Sequence, residues 1–314
     1  MIKIVFFGTP AWTVSFFEKL LSDPDSQIVG VVTQPDKPIG REQKKVSSLI
    51  KKKAQENGIP VFPFPTLKTP EAVDSLRDLG ADLFVVVAYG KIIPPAVLAL
   101  PPLGCLNVHP SLLPKYRGAS PIISAIAEGE TETGISLMLL DEGMDTGPVL
   151  ASLPVSIAER ETAATLTEKI SRLGPLFFLE TLKKYASGSL KFVPQDPSQA
   201  TFTKQLERND GRIDWTQPCA VVDRRMRAFD PWPGSWTIWN RKGKPVRLKI
   251  LEAVPTDLSC SGLPGTITIQ GHRCFVNCAD RKLELFLVQI EGKVRMNIED
   301  FLRGYGEFQD SVLL

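Results

Sequence analysis

A run of residues that is apolar on both faces, Asp82–Ala88, constrains the fold more than any other part of the chain. A strand with one face in water alternates apolar and polar residues, whereas a central strand of a parallel sheet is covered on both faces. Apolar runs at Ile2–Phe7, Ile28–Thr33 and Gly104–Val108 are separated from it and from each other by intervening segments, several of them helical in pattern. This alternation predicts a doubly wound, mostly parallel α/β sheet of the Rossmann-like kind.

The second part of the chain has a different texture. A length of 314 residues favours two domains. After further strands at Gly134–Leu140 and Val149–Ile157 and a helix from Ala163 to Ser187, a proline-containing stretch predicts a linker. Short runs between turns then predict a small antiparallel, OB-like β-barrel. The predicted boundaries are 1–188 for the first domain, 189–204 for the linker and 205–314 for the barrel. The predicted barrel strands are Trp236–Trp239, Val246–Leu251, Gly265–Gln270, Arg273–Cys278 and Leu283–Gln289.

Composition excludes several classes of protein. No apolar run approaches the length of a membrane span, and the N-terminus has the pattern of a strand rather than of a signal peptide. Five scattered cysteines fit a reducing compartment, so we expect a soluble cytoplasmic protein. Gly8 follows the first strand without the glycine pattern of a nicotinamide site. His272, Cys274 and Cys278 lack the spacing of a zinc knuckle, so no metal is expected.

Positive charge is concentrated in two segments, although the net charge is only +2. Between Gln34 and Lys53 seven basic residues face two acidic ones, and between Lys204 and Lys249 eleven face five. Such local patches favour an anionic partner. In the second segment basic residues alternate with aromatic ones, as in nucleic-acid-binding barrels. The alternative is a surface with extra charge over a core of tryptophans. We expect Trp215, Trp232 and Trp236 to be core residues and several of the basic residues to contact phosphate.

The strongest chemical signal is Asn107-Val108-His109, at the carboxyl end of a predicted strand, where open α/β sheets bind ligands. Residues two apart on a strand face the same way, so an amide donor and an imidazole would point at one place. Asp145 follows in a glycine-containing loop able to bring a carboxylate to the imidazole. Acyl transfer needs a donor for the developing oxyanion and a group that manages the proton.

These residues sit in motifs that resemble the folate-dependent formyltransferases. The shared motifs are Asn107–Pro114, Arg117–Pro121, Thr133-Gly134 and Asp141–Gly147. Further segments resemble one branch of that family, the methionyl-tRNA formyltransferases, over both domains from Met1 to at least Phe301. They are Phe7–Pro10, Thr33–Pro38 with Gly40-Arg41, Ala88–Pro94, Gly211–Trp215 and Arg227–Trp236.

The resemblance implies transfer of the formyl group of 10-formyltetrahydrofolate, a consumed co-substrate, to the α-amine of methionine esterified to initiator tRNA. Asn107, His109 and Asp145 would be catalytic. The folate site would be lined by Ser111, Leu112, Leu113, Pro114, Tyr89, Gly90 and Asp141. Contacts to tRNA would come from Lys37, Arg41, Lys44, Lys45, Lys204 and Arg208. Nothing in the sequence requires more than a monomer.

Three alternatives remain open at this point. A formyltransferase of the same fold could act on an amino sugar or on glycinamide ribonucleotide, although a small substrate does not need a basic barrel. A catalytically idle RNA-binding protein would not need the Asn107, His109 and Asp145 set. A hydrolase could use water in place of the amine and release formate, and only the tRNA-facing features argue against it.

Overall fold

The computed structural model describes residues 1–39, 44–260, 262–309 and 311–314. Contacts between Cα atoms divide the chain into two compact units. The segment 189–204, predicted as a linker, belongs to the first unit, and the second unit takes in two short segments that precede residue 189. The first unit comprises Met1–Pro121, Glu132–Ile157 and Leu166–Lys204, and the second comprises Ile122–Thr131, Ala158–Thr165 and Gln205–Leu314.

The chain through Lys204 alternates strands and helices as predicted. The last predicted strands, Gly134–Leu140 and Val149–Ile157, are present within one or two residues of these bounds. In chain order the elements are β1 (Ile2–Gly8), α1 (Val14–Leu21), β2 (Ser26–Val32), β3 (Lys37–Ile39), β4 (Lys44–Val46), α2 (Leu49–Glu56), β5 (Val61–Phe62), α3 (Pro70–Arg77), β6 (Leu83–Val87), α4 (Pro95–Leu98), β7 (Cys105–His109), β8 (Arg117–Gly118), α5 (Pro121–Glu128), β9 (Glu132–Leu139), β10 (Val149–Ser156), α6 (Ala163–Ala186) and β11 (Phe202–Thr203).

Seven of these strands form one sheet in the order β10-β9-β7-β6-β1-β2-β5. The five strands from β7 to β5 pair in parallel, whereas β9 pairs antiparallel with both β7 and β10. The central strands β1, β6 and β7 are buried on both faces, which explains their continuous apolar sequences. Strand β6 lies between β1 and β7 and pairs in parallel with both. The carboxyl ends of the three strands therefore lie at the same edge of the sheet.

Helix starts in this unit follow local sequence signals. The Ser48 hydroxyl accepts a hydrogen bond from the Lys51 amide at the start of α2, and the Thr69 hydroxyl accepts one from the Ala72 amide before Pro70 begins α3. Aromatic side chains then attach helices to the sheet and to each other: Phe17 of α1 packs edge-on against Phe6 of β1, with ring centroids 5.6 Å apart, and Phe16 of α1 packs edge-on against Phe178 of α6, with ring centroids 6.0 Å apart. These contacts fix the helices on the sheet that carries the candidate site.

The second unit is antiparallel, as predicted. The elements are α7 (Cys219–Ala228), β12 (Trp236–Arg241), β13 (Lys244–Ser259), β14 (Ile267–Gln270), β15 (Arg273–Asn277), β16 (Arg281–Ile290), β17 (Met296–Asn297) and α8 (Ile298–Gly304). Three of its strands, β12, β13 and β16, are longer than the sequence indicated, above all β13, which extends beyond the predicted Val246–Leu251 at both ends, whereas β14 and β15 are slightly shorter than predicted.

The sheet of the second unit runs β12-β13-β16-β15-β14, with β17 paired to β16. The segment 311–314 hydrogen-bonds both edge strands: Leu314 exchanges two bonds of 2.9 Å with Ile238 of β12, and the Ser311 carbonyl accepts one of 2.8 Å from Ile267 of β14. The strands therefore surround a common core, in which Trp239 is fully buried against Phe301 and Phe308.

Two of the three tryptophans expected in the core are there, and one is not. Trp215 and Trp236 are buried, whereas Trp232, between two prolines, is 51% exposed. The expectation for Trp232 was wrong because Pro231 and Pro233 hold it in a turn outside the strands, where it has no place in the sheet. Among the described residues, no helix has both the length and the apolar character needed to cross a membrane.

Candidate active site

Strand β7 brings Asn107 and His109 to the carboxyl edge of the sheet. The strand is central, paired with β6 on one side and β9 on the other, and both side chains are buried. As alternate residues of one strand they share a face, and both reach Asp145 in the loop between β9 and β10. The Asn107 amide nitrogen lies 3.5 Å from Asp145 Oδ1, and His109 Nδ1 lies 3.7 Å from Asp145 Oδ2.

Two glycines of the Asp145 loop lie where the neighbouring atoms leave no room for a side chain. A Cβ on Gly147 would lie 1.8 Å from the Leu139 carbonyl oxygen, and a Cβ on Gly143 would lie 1.9 Å from the Thr146 hydroxyl. Asp145 itself has a φ of +52°. Its Oδ2 accepts a 2.7 Å hydrogen bond from the Gly118 amide, so a backbone donor orients the carboxylate.

The hydrogen bonds of His109 define its tautomer. Its Nε2 lies 2.9 Å from the Tyr116 carbonyl oxygen, which can only accept, so Nε2 carries a hydrogen. In the neutral ring Nδ1 then holds the lone pair and faces the Asp145 carboxylate. A proton taken up at Nδ1 produces an imidazolium beside that carboxylate, the arrangement of a general base with a stabilising anion.

The Asn107 amide supplies the complementary group. One of its two N–H groups is directed at Asp145, which leaves the second as a donor for an oxygen atom at the same edge of the sheet. A neutral donor and a proton acceptor thus converge on one region. This is the combination that acyl transfer to an amine requires.

The turn after β7 contains the first predicted folate residues. Ser111 is fully buried, and its hydroxyl donates a 2.7 Å hydrogen bond to the Lys115 carbonyl, so it holds the turn together. Ser136 of β9 supports the same turn, donating to the Ser111 carbonyl and accepting from the Leu113 amide. Leu112, Leu113 and Pro114 lie in this turn and are partly exposed, so apolar side chains reach the surface a few residues after His109.

Tyr89 and Gly90 follow β6 at the same edge. The Tyr89 ring is buried and packs edge-on against Phe7, with ring centroids 5.5 Å apart. Burial raises the pKa of the Tyr89 phenol to about 12. Its hydroxyl has no hydrogen-bond partner among the described residues. The Tyr89 carbonyl accepts from Thr9 and Gln34, and Gly90, at a φ of +78°, is exposed. Tyr89 is therefore a buried residue that packs under the carboxyl edge of the sheet, whereas Gly90 is exposed to solvent.

Asp141 lies at the start of the Asp145 loop and is exposed. Its Oδ1 accepts hydrogen bonds of 3.0 Å from the Gly143 amide and 2.6 Å from the Thr146 hydroxyl. Neither of these two bonds involves the other carboxylate oxygen, Oδ2. The carboxylate thus closes the loop on itself.

The residues predicted to contact tRNA lie in both units. Lys37 lies on β3 and Lys44 and Lys45 on β4, two strands that pair as an antiparallel hairpin. Arg41, predicted to contact the acceptor stem, lies outside the described residues. Lys204 ends the first unit, and Arg208 lies early in the second; both side chains are exposed.

Several arginines of the second basic segment are engaged within their own unit. Arg241 forms a 2.8 Å ion pair with Glu307, and Arg227 forms one of 2.9 Å with Asp223. Arg247 stacks over the Trp236 ring at 4.0 Å. Positive charge counted from the sequence therefore overstates what this unit offers to an anion, because these groups already have partners.

His272, Cys274 and Cys278 lie in β15 or directly beside it. Cys274 is fully buried, and burial raises the pKa of its thiol to about 12. His272 lies in the exposed turn before it. Among the residues that the structure describes, no group of three or more His, Cys, Asp or Glu side chains could hold a metal ion.

The arrangement of domains and motifs matches known proteins over nearly the whole chain. The model of the family described as "Formyl transferase" matches residues 2–182, and that of "Formyl transferase, C-terminal domain" matches residues 205–306. A methionyl-tRNA formyltransferase of Chloroflexus aggregans is 43% identical over 96% of this chain and 97% of its own length. Another, of Myxococcus xanthus, is 44% identical over 96% of this chain and 95% of its own length.

A solved structure shares the fold at lower identity. The N-formyltransferase of Helicobacter canadensis, in complex with folinic acid and dTDP-3-aminofucose, is 19% identical, with a TM-score of 0.64 over 91% of this chain and 99% of its own. The sequence relatives, which match both domains end to end, decide the branch. This chain belongs to the methionyl-tRNA formyltransferase family.

Proposed function

We propose that this protein transfers the formyl group of 10-formyltetrahydrofolate to the α-amino group of methionine esterified to initiator tRNA, in the cytoplasm, for translation initiation. The observation that carries the proposal is the convergence of Asn107, His109 and Asp145 at one edge of the sheet. The names of the relatives support methionyl-tRNA as the acceptor of the formyl group, and the folinic acid bound to the Helicobacter enzyme supports a folate as its donor.

The residues of the site suit each step of this transfer. The amine attacks the formyl carbon as a C–N bond forms, and negative charge develops on the formyl oxygen. The free N–H of Asn107 stabilises that charge. His109 takes the proton that the amine must lose, and Asp145 stabilises the resulting imidazolium. Cleavage of the bond between the formyl carbon and N10 of the folate completes the exchange, and N10 takes up a proton.

The folate is held, in this proposal, by Leu112, Leu113 and Pro114, with Ser111 fixing their turn and Gly90 and Asp141 beside them. The partly exposed apolar surface of that turn suits one face of a flat pterin ring. Tyr89 contributes as the buried support of Gly90. We propose that no metal takes part, which is tested by turnover after exhaustive chelation.

The tRNA is held, in this proposal, by Lys37, Arg41, Lys44 and Lys45 in the first unit and by Lys204 and Arg208. Contacts to phosphate give affinity and orientation without reading sequence. One tRNA and one chain suffice for this scheme, so we propose a monomer, which light scattering on the purified protein would test.

The deciding experiment is formyl transfer from 10-formyltetrahydrofolate to methionine-charged initiator tRNA, with charged elongator tRNA and free methionine as controls. Transfer confined to the charged initiator supports the proposal. Release of formate without formylated tRNA would identify a hydrolase. Donor consumption that requires an amino sugar or glycinamide ribonucleotide would identify a small-amine formyltransferase.

A further inference from the structure

One short segment of the chain, from Gln195 to Thr203, contacts the backbone on both sides of His109. On one side, the Thr201 carbonyl accepts a 2.9 Å hydrogen bond from the Arg117 amide, and the Thr201 hydroxyl accepts one of 2.8 Å from the Tyr116 amide. These bonds hold Tyr116 at a φ of +60°, a conformation that non-glycine residues rarely adopt. The Tyr116 carbonyl is the group that bonds His109 Nε2.

On the other side, the Gln195 amide holds the Asp145 loop. Its nitrogen donates to the Asp145 carbonyl at 2.8 Å and to the Gly147 carbonyl at 2.7 Å, which uses both of its hydrogens. Its oxygen accepts from Arg117 Nε at 3.1 Å and Nη2 at 2.8 Å. Because carbonyls only accept and arginine only donates, these partners fix the orientation of the amide.

Arg117 anchors this arrangement from the core. Its side chain is only 4% exposed, and its backbone forms β8, which pairs with β11. A buried guanidinium has a strong requirement for acceptors, so the Gln195 oxygen is held firmly. Gln195 thus connects a fixed side chain of the core to the loop that carries Asp145.

We propose that Gln195 is a positioning residue of the formyl-transfer site, which joins Arg117 to the Asp145 loop and so sets the place of the Asp145 carboxylate beside His109. Asp145 has few other constraints: the Gly118 amide bonds one carboxylate oxygen, and Asn107 approaches the other at 3.5 Å. Without the Gln195 donors the carbonyls of Asp145 and Gly147 lose these partners, and a loop residue at positive φ loses its restraint. No other side chain of this size offers two donors and one acceptor in this pattern.

The first test is kinetic and rests on the proposed function. Gln195→Met keeps the length of the side chain without its hydrogen bonds, and Gln195→Glu keeps an acceptor for Arg117 but cannot donate. We expect both to lower kcat about 10- to 100-fold, as expected for a displaced catalytic group, with both KM values changed less than about twofold. Gln199→Met is the matched control, because the exposed Gln199 side chain bonds Asp196 in the same segment.

The second test reads His109 directly and does not depend on the acceptor. The chain has two histidines, so ¹⁵N-labelled histidine gives ring resonances for His109 and His272 alone. We expect Gln195→Met to shift the His109 nitrogens and leave those of His272 in place, while Gln199→Met shifts neither. If Gln195→Met does not fold, Gln195→Asn, which keeps the amide on a shorter side chain, is measured in the same way.

The outcomes separate this proposal from the proposed function. A kcat within twofold of the Gln199→Met value, or His109 resonances that do not move, would overturn the role of Gln195. A loss of activity that only follows a lower fraction of folded protein would overturn it as well. If the wild-type protein fails to formylate charged tRNA while the His109 resonances still respond to Gln195→Met, the proposed function fails and the positioning contact stands.

Discussion

His109 Nδ1 and Asp145 Oδ2 are 3.7 Å apart, which is too far for a hydrogen bond, while the same carboxylate oxygen is bonded at 2.7 Å by the Gly118 amide. The backbone thus orients the carboxylate. The interaction of the carboxylate with the neutral imidazole is electrostatic and does not include a hydrogen bond. When His109 takes a proton at Nδ1, the two groups become an ion pair in a largely buried place. The attraction is then strongest in the state that the reaction must reach.

Asp145→Asn tests this relationship. The amide keeps the size of the side chain but removes the charge that stabilises the imidazolium, so kcat should fall at least about 100-fold. The KM for tRNA should change little, because Asp145 lies at the sheet edge and not in a basic segment. Steady-state kinetics with charged initiator tRNA measures both, and retention of more than a tenth of the wild-type kcat would contradict the role given to Asp145.

Asn107→Ala tests the donor. Loss of an oxyanion donor costs about 10²- to 10³-fold in kcat, with substrate affinity nearly unchanged. Asn240→Ala is a suitable control because Asn240 lies on β12 in the other unit and is exposed. Equal rates for the two variants would show that the Asn107 amide serves the structure of the loop and not the reaction.

His109→Ala has an unusually close control, since His272→Ala removes the other histidine of the chain from an exposed turn. Loss of a general base lowers the rate about 10²- to 10⁴-fold, and we expect this for His109→Ala alone. Circular dichroism should show both variants folded. Near-normal turnover of a folded His109→Ala protein would remove His109 from the mechanism.

The parallel sheet was predictable because its central strands have continuous apolar sequences. The run Asp82–Ala88 became β6 (Leu83–Val87) in the middle of the sheet, and Gly104–Val108 became β7 (Cys105–His109), displaced by one residue. Burial on both faces leaves a continuous apolar sequence that needs no knowledge of the partner strands. The two-residue period of a strand predicted that Asn107 and His109 point to the same place. The glycine-containing loop around Asp145 predicted that its carboxylate could approach the imidazole.

Features that depend on distant partners were not predictable. Trp232 was expected in the core and is half exposed, whereas Trp239 is fully buried, because of these two only Trp239 lies on a strand facing the core. Arg117 and Gln195 are 78 positions apart, and no local pattern connects them. The pairing of β8 with β11 involves two residues in each strand, too few for any periodicity to show.

Arg208→Ala tests the electrostatic part of tRNA binding. The KM for tRNA should rise a few-fold, and the slope of log affinity against log salt should become shallower by about 0.7–0.9, the effect of one phosphate contact. The KM for the folate should not change. Lys293→Ala, in an exposed turn, is a control of equal charge, and an unaltered salt slope in Arg208→Ala would exclude Arg208 from phosphate contact.

Asp280 makes the stability of the second unit dependent on pH. No side chain caps the start of α7 locally; the Asp280 carboxylate, 61 positions away, accepts a 2.7 Å hydrogen bond from the Cys219 amide. This bond and the bonds to backbone amides around Asp280 and Arg281 hold the pKa of the Asp280 carboxyl below its ordinary value. A carboxyl group with a lowered pKa stabilises the fold above its unfolded pKa, and this contribution is lost as the pH falls through its folded pKa.

Asp280→Ala should therefore destabilise the protein at pH 7 by roughly 1 kcal/mol, the usual effect of losing a helix cap. The difference from wild type should begin to shrink as the pH falls to about 4, the ordinary pKa of an aspartate, and should disappear below the lower folded pKa of Asp280. Thermal unfolding across this range measures it. Asp257→Ala, which removes a surface ion pair with Arg281, is the control, and a difference independent of pH would contradict the assignment.

The hydrogen bonds of segment 311–314 to both β12 and β14 have a consequence for the order of folding. During synthesis this segment follows every strand that it joins, and about 70 residues separate it from β12. Until it has emerged, two strand edges remain open to pairing with other chains. A nascent chain that stalls before this segment exposes both edges at once, so we expect the ribosome-bound intermediate of the second unit to aggregate more readily than the complete unit.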